Sequence, residues 1–212
     1  MKKFVAEFVG TFFLVLAIGL TGNALASGLF IIPIIYIGAS VSGAHYNPAI
    51  TVSFWATGHL SGKSMISYVI SQTLGALAGT LLIFFMAGSA LQTIPASSAT
   101  PLQYGSVEIL FLLLLSMLYL TLFLSDSFKH NRIYGLAIGL SYAGILLVGE
   151  PVSGGVFNPS IAAAASIIDF FDYGDSYLYL PIFILAPAVG GILAGHLFSY
   201  LSIQNHDQQA GE

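Results

Sequence analysis

Six apolar runs constrain this chain most, because each approaches the roughly 20 residues that an α-helix needs to cross a ~30 Å hydrocarbon layer. They fall at 4–22, 26–42, 65–88, 105–125, 133–149 and 178–202. Only 7% of the 212 residues are charged and 57% are hydrophobic, against roughly 25% charged in a soluble domain. An all-α integral membrane protein is therefore predicted. The longest polar stretch between spans, 88–104, gives no sign of a separate soluble domain, so residues 1–212 read as one domain. The first run follows Lys2 and Lys3 as a signal peptide would. Glu7 interrupts it, however, and no clear small-x-small cleavage site follows, which favours a retained first helix.

The few charges orient the spans. Lys2, Lys3, Lys63, Lys129 and Arg132 are all the cations, and they sit at the N-terminus or after spans two and four. An alternating path places those positions on one side, which the positive-inside rule makes cytoplasmic, with both termini inside. Asp169, Asp172 and Asp175 then lie outside, where they would form a solvated loop or enrich cations at a mouth. Short termini without targeting segments fit a prokaryotic cell membrane. No cysteine is present, and no carboxylate–histidine set has metal-ligand spacing. No nucleophile–base pair or phosphate loop appears either. Enzyme activity, cofactors, metals and a nucleic-acid partner are not expected.

A repeat sets the architecture. "SGAHYNPAI" at 42–50 recurs as "SGGVFNPSI" at 153–161, so Asn47-Pro48-Ala49 and Asn158-Pro159-Ser160 stand 111 residues apart. Glu7 and Glu108 lie in the first span of each half. Three spans per half is an odd number, so the halves, about 1–90 and 104–203, enter the membrane from opposite sides. The runs after each motif, 50–57 and 161–168, are too short to cross and suit re-entrant half-helices. Non-helical backbone at that depth needs buried partners or a watery cavity. Proline fits the first turn of a helix and asparagine its cap, which directs two positive helix ends at each other near the midplane.

On these residues the sequence resembles the aquaporin and glycerol-channel family, the major intrinsic proteins. The resemblance implies an hourglass pore in each subunit of a homotetramer, with Asn47 and Asn158 donating to a file of water or small neutral solute. Carbonyls of 42–46 and 153–157 would line the rest. Glu7 and Glu108 would brace the two loops, a role weighed against proton relay, and His45 would be a neutral loop brace rather than a pH gate. By family spacing the constriction falls on Ser27, Leu146, Gly155 and Ile161. Ile161 stands where water and glycerol channels carry arginine, which implies a ring that is wider on two sides, oily on two and poor in donors. Water, glycerol, ammonia, hydrogen peroxide, neutral metalloid hydroxides and dissolved gases remain candidate permeants.

Two other classes stay open from the residues alone. A secondary transporter also uses inverted repeats and broken helices, with Glu7, Glu108 and Glu150 as candidate coupling acids; the cluster Asp169, Asp172 and Asp175 raises a cation channel once the arginine is missing, although the half-helix dipoles oppose cations. The Gly75/Gly79, Gly135/Gly139 and Gly191/Gly195 pairs permit close helix approach within or between subunits. Trp55, Tyr173, Tyr177 and Tyr179 suit the lipid interface, as does Tyr36 unless it faces the lumen. His196 reads as a packing or interfacial residue.

Overall fold

The computed structural model describes residues 1–128 and 130–209, with side chains through Ser202. Lys129, one of the predicted inner cations, and the last three residues of the predicted single domain lie outside the described residues. The helices are α1 (Lys2–Thr21), α2 (Ala24–Ser42), α3 (Pro48–Ala56), α4 (Gly62–Ala87), α5 (Pro101–Leu124), α6 (Tyr134–Ser153), α7 (Pro159–Phe171) and α8 (Leu180–Gln209). Among the described residues six helices are long and apolar enough to cross a membrane, the last over Leu180–Ser202. The all-helical expectation holds, as do the two short helices, each beginning at its proline. The inner side is that of the N-terminus.

Local chemistry explains the helix ends. Asn23 Oδ1 accepts from the Ala26 N–H (2.9 Å) and Ser61 Oγ from the Ser64 N–H (3.2 Å), so each supplies a free first-turn donor with its acceptor. Thr100 and Gln103 form a reciprocal capping box at the start of α5. α2 and α6 both stop at a left-handed glycine, Gly43 (φ 91°) and Gly154 (φ 79°), which turns the chain into each re-entrant loop.

Packing repeats across the two halves. α1 lies against α4 and α2, α5 lies against α8 and α6, and α2 meets α6 between the halves. Each short helix packs on the last helix of the opposite half, α3 on α8 and α7 on α4. Small residues set these distances. A Cβ on Gly28 would strike the Gly139 carbonyl and one on Gly139 the Gly28 carbonyl, while Gly75 abuts Phe8 O, Gly79 abuts Phe12 O, and Gly191 abuts Ala49 O. The glycine pairs therefore seat helices within one subunit. Large apolar side chains such as Ile37, Phe85 and Leu110 stay exposed on the periphery, as lipid contact requires. The exposed His196 lies on this surface too.

Candidate pore

The two Asn-Pro motifs meet end to end. Asn47 Oδ1 accepts from the Ala49 N–H (2.9 Å) and Asn158 Oδ1 from the Ser160 N–H (3.0 Å), each capping its own half-helix. Asn47 Nδ2 donates to Phe157 O (2.7 Å), and Asn158 Nδ2 donates to Tyr46 O (2.9 Å). Each amide thus bridges the halves with one N–H and retains a second. The Ser160 hydroxyl meets Thr73 Oγ1 at 3.2 Å. Thr73 already donates to Val69 O, so Ser160 is the donor and ties α7 to α4.

The loops before these motifs are strained and held. Ala44, Tyr46 and Phe157 adopt left-handed backbone with φ of 51°, 52° and 41°, at a cost of about 1–3 kcal/mol each. Glu7 offsets this in the first loop: Oε1 accepts from the His45 N–H (3.1 Å), and Oε2 from the Tyr46 N–H (2.7 Å) and Gln72 Nε2 (2.8 Å). Gln72 also donates to Thr51 Oγ1 (2.9 Å), which meets His45 Nδ1 at 3.2 Å. Tyr68 and Tyr119 hydroxyls donate to the Ser42 and Ala44 carbonyls (2.9 and 3.1 Å). The Tyr46 ring turns away between Gly10 and Gly38, and its hydroxyl donates to Ile34 O (3.0 Å).

The second loop is braced less. Glu108 Oε1 accepts from the Phe157 N–H at 3.3 Å, and Oε2 has no partner among the described residues. Gly190 abuts Ile109 O as Gly75 abuts Phe8 O. Three residues before each glycine stand Pro187 and Gln72, so the second half has a proline in place of the amide donor. Val156 and Ala162 likewise replace His45 and Thr51 in the 111-residue register.

The residues expected at the constriction are buried. Ser27, Leu146 and Ile161 are exposed by only 2, 4 and 2%, and Asn158 by 0%. α2 and α6 approach closely at Gly28 and Gly139, beside Ser27. The Ser27 hydroxyl lies 3.0 Å from Asn23 O and 3.3 Å from Ala17 O, so its proton goes to backbone. Leu146 Cδ2 lies 3.5 Å from the place a Gly155 Cβ would occupy, so those two residues adjoin. On the inner side, a cavity of about 10 Å³ is lined by Asn47, His45, Tyr119, Tyr142 and five aliphatic residues. That is room for about one water. Of the carbonyls expected to line the file, Ser42, Ala44, Tyr46 and Phe157 already accept from the protein donors named above.

Two of the three outer acids are structural. Asp169, 1% exposed, accepts from the Ser176 N–H (2.9 Å) and from Gln92 Nε2 (3.4 Å), and Asp172 accepts from the Ala90 N–H (3.0 Å). They tie the 88–100 segment over the end of α7. Tyr36 donates to Arg132 O (2.7 Å) and packs on Tyr134, away from the lumen at the inner surface. Among the described residues no group of three or more His, Cys, Asp or Glu side chains is placed to hold a metal. Sequence reasoning passed over Gln72, Tyr68, Tyr119 and Tyr142. A lone amide in an apolar span and a tyrosine one turn before Leu146 were the available signals.

An inverted pair of three-span halves whose half-helices meet through two asparagines defines a membrane channel class. The family model described as "Major intrinsic protein" matches residues 1–198, and the chain belongs to that family. Similar proteins include the "Probable aquaporin AqpM" of Archaeoglobus fulgidus, 29% identical over 95% of this chain and 97% of that one. Aquaporin Z of Bradyrhizobium diazoefficiens is 32% identical over 95% of this chain and 94% of its own length. The X-ray structure of the aquaglyceroporin from Plasmodium falciparum aligns with a TM-score of 0.86 and 23% identity, covering 98% of each chain, a likeness of fold. The protein is thus a multi-pass membrane channel for water and small solutes. Membership in a channel family sets aside enzyme and transporter readings.

Proposed function

We propose that each subunit of a homotetramer conducts small uncharged molecules through one passage centred on Asn47 and Asn158. The subunit sits in the cell membrane with both termini in the cytoplasm and folds as one domain over residues 1–212. The observation that carries this reading is the reciprocal pair of bonds from Asn47 Nδ2 to Phe157 O and from Asn158 Nδ2 to Tyr46 O. It directs two positive helix ends at the midplane, where they oppose cations and protons. Ser27, Leu146, Gly155 and Ile161 form the outer constriction. With no cationic donor at Ile161 and the Ser27 proton given to backbone, this ring replaces little of a solute's hydration. It therefore favours small molecules with few hydration bonds to replace, such as water, ammonia and hydrogen peroxide, over glycerol.

Stopped-flow light scattering on proteoliposomes tests the reading. Wild type, Ile161→Arg and empty vesicles are compared under a sucrose shock, then under gradients of glycerol, ammonia and peroxide. Wild type exceeds empty vesicles, and Ile161→Arg narrows the solute range. An unchanged range in Ile161→Arg removes Ile161 from the filter.

A further inference from the structure

The cavity beside Asn47 contains a group that the repeat does not account for. It is lined by Leu14, Ile31, Ile50, Leu115 and Ile138, by His45 and Asn47, and by two tyrosines. Tyr119 is spoken for, since its hydroxyl donates to Ala44 O. Tyr142 is not: it is 2% exposed, and its hydroxyl has no partner among the described residues. In the 111-residue register its counterpart is Ile31 on α2, which lines the same cavity. α2 therefore contributes an aliphatic side chain to the cavity where α6 contributes a phenol. Tyr142 lies one helical turn inward of Leu146, so the two share a face of α6.

A buried hydroxyl left unpaired costs about 1–3 kcal/mol, and the adjacent space holds about one water. Asn47 lines the same space and has an amide N–H not used in the bridge to Phe157 O. We propose that Tyr142 is a specificity-determining residue of this channel. Its ring makes the size-limiting constriction, inward of the Ser27/Leu146/Gly155/Ile161 ring, and its hydroxyl is the hydrogen-bond partner of the permeating molecule as that molecule passes Asn47. The solutes it admits are then water-sized, with at least one lone pair or polar hydrogen. This inference rests on the channel reading and adds a second point of selection to it.

Osmotic water permeability, its activation energy and glycerol uptake are measured in proteoliposomes for wild type, Tyr142→Val and Tyr142→Phe. Retention of the folded oligomer is checked by gel filtration. Tyr142→Val is expected to raise water permeability about fivefold or more and to admit glycerol, because pore diameter sets the cut-off. Tyr142→Phe keeps the ring and is expected to lower water permeability about two- to tenfold, the factor that one ordinary hydrogen bond represents, with a higher activation energy. Conducting wild type with an unchanged Tyr142→Val overturns the size-limiting role. An unchanged Tyr142→Phe overturns the hydroxyl's role. A folded Tyr142→Val that conducts no more than empty vesicles overturns the inference as well, and if wild type is equally silent toward water, ammonia and peroxide it is the proposed passage that fails.

Discussion

Glu7 and Glu108 occupy equivalent places in the two halves, yet removing them is expected to have unequal consequences. Glu7→Ala takes away the acceptor of two buried backbone N–H groups, those of His45 and Tyr46, at 3.1 and 2.7 Å. Gln72 keeps its bond to Thr51. Two orphaned donors at about 1–3 kcal/mol each give about 2–6 kcal/mol of destabilisation. Glu108→Ala strands one donor, Phe157 N–H, whose bond is already long at 3.3 Å, and it also removes an oxygen that has no partner. These effects offset one another, leaving about 1 kcal/mol. Both variants lose the same side-chain volume, so the cavity contribution largely cancels in the comparison. The expected gap is about 1–5 kcal/mol, at least about fivefold in the ratio of folded to unfolded protein. Denaturant titration in detergent micelles, followed by fluorescence of the single tryptophan, Trp55, reads it directly. Equal midpoints, or a less stable Glu108→Ala, would refute the idea that hydrogen bonds to the loop set the strength of each brace.

Gly38→Ala should destabilise the protein by about 1–3 kcal/mol through overpacking, because the added methyl would meet the Tyr46 hydroxyl. Tyr46→Leu in the same chain should recover much of that loss, and thermal unfolding of the single and double variants tests the pairing. Asp169→Ala removes the acceptor of the buried Ser176 N–H and of Gln92. It should expose segment 88–100 to protease in intact proteoliposomes while leaving water flux close to wild type; loss of flux without cleavage would contradict this. Ser160→Ala should change stability by less than about 1 kcal/mol, since Thr73 still donates to Val69 O and no buried donor is orphaned; a larger shift in the unfolding midpoint would count against the bond to Thr73 as the sole role of that hydroxyl.

The sequence by itself determined the spans, their count, the repeat and the two half-helices. Those features depend on length in lipid and on local turn chemistry: a run near 20 apolar residues, an asparagine cap and a proline in the first helical turn. Glu7 and Glu108 were legible as unusual acids in apolar spans, and their role as loop braces came from the resemblance to the family. Direction was decided by the tertiary structure. In a membrane helix the lipid-facing and interior faces are both apolar, so hydrophobic periodicity does not tell one from the other. Whether Ser27 faces a lumen or the α1–α2 turn depended on how closely α2 meets α6 at Gly28 and Gly139. The same holds for Tyr46, which found its slot between two glycines 28 residues apart, and for Asp169, drawn inward by Ser176 and Gln92. The unequal braces arose from Gln72, distant from the first motif in sequence and bonded to Glu7 only once α4 had packed on α1, while α8 carries Pro187 three residues before its own close-packed glycine. Tyr142 became notable only when its hydroxyl was left without a partner beside Asn47, because a polar group's cost depends on what the completed fold places around it.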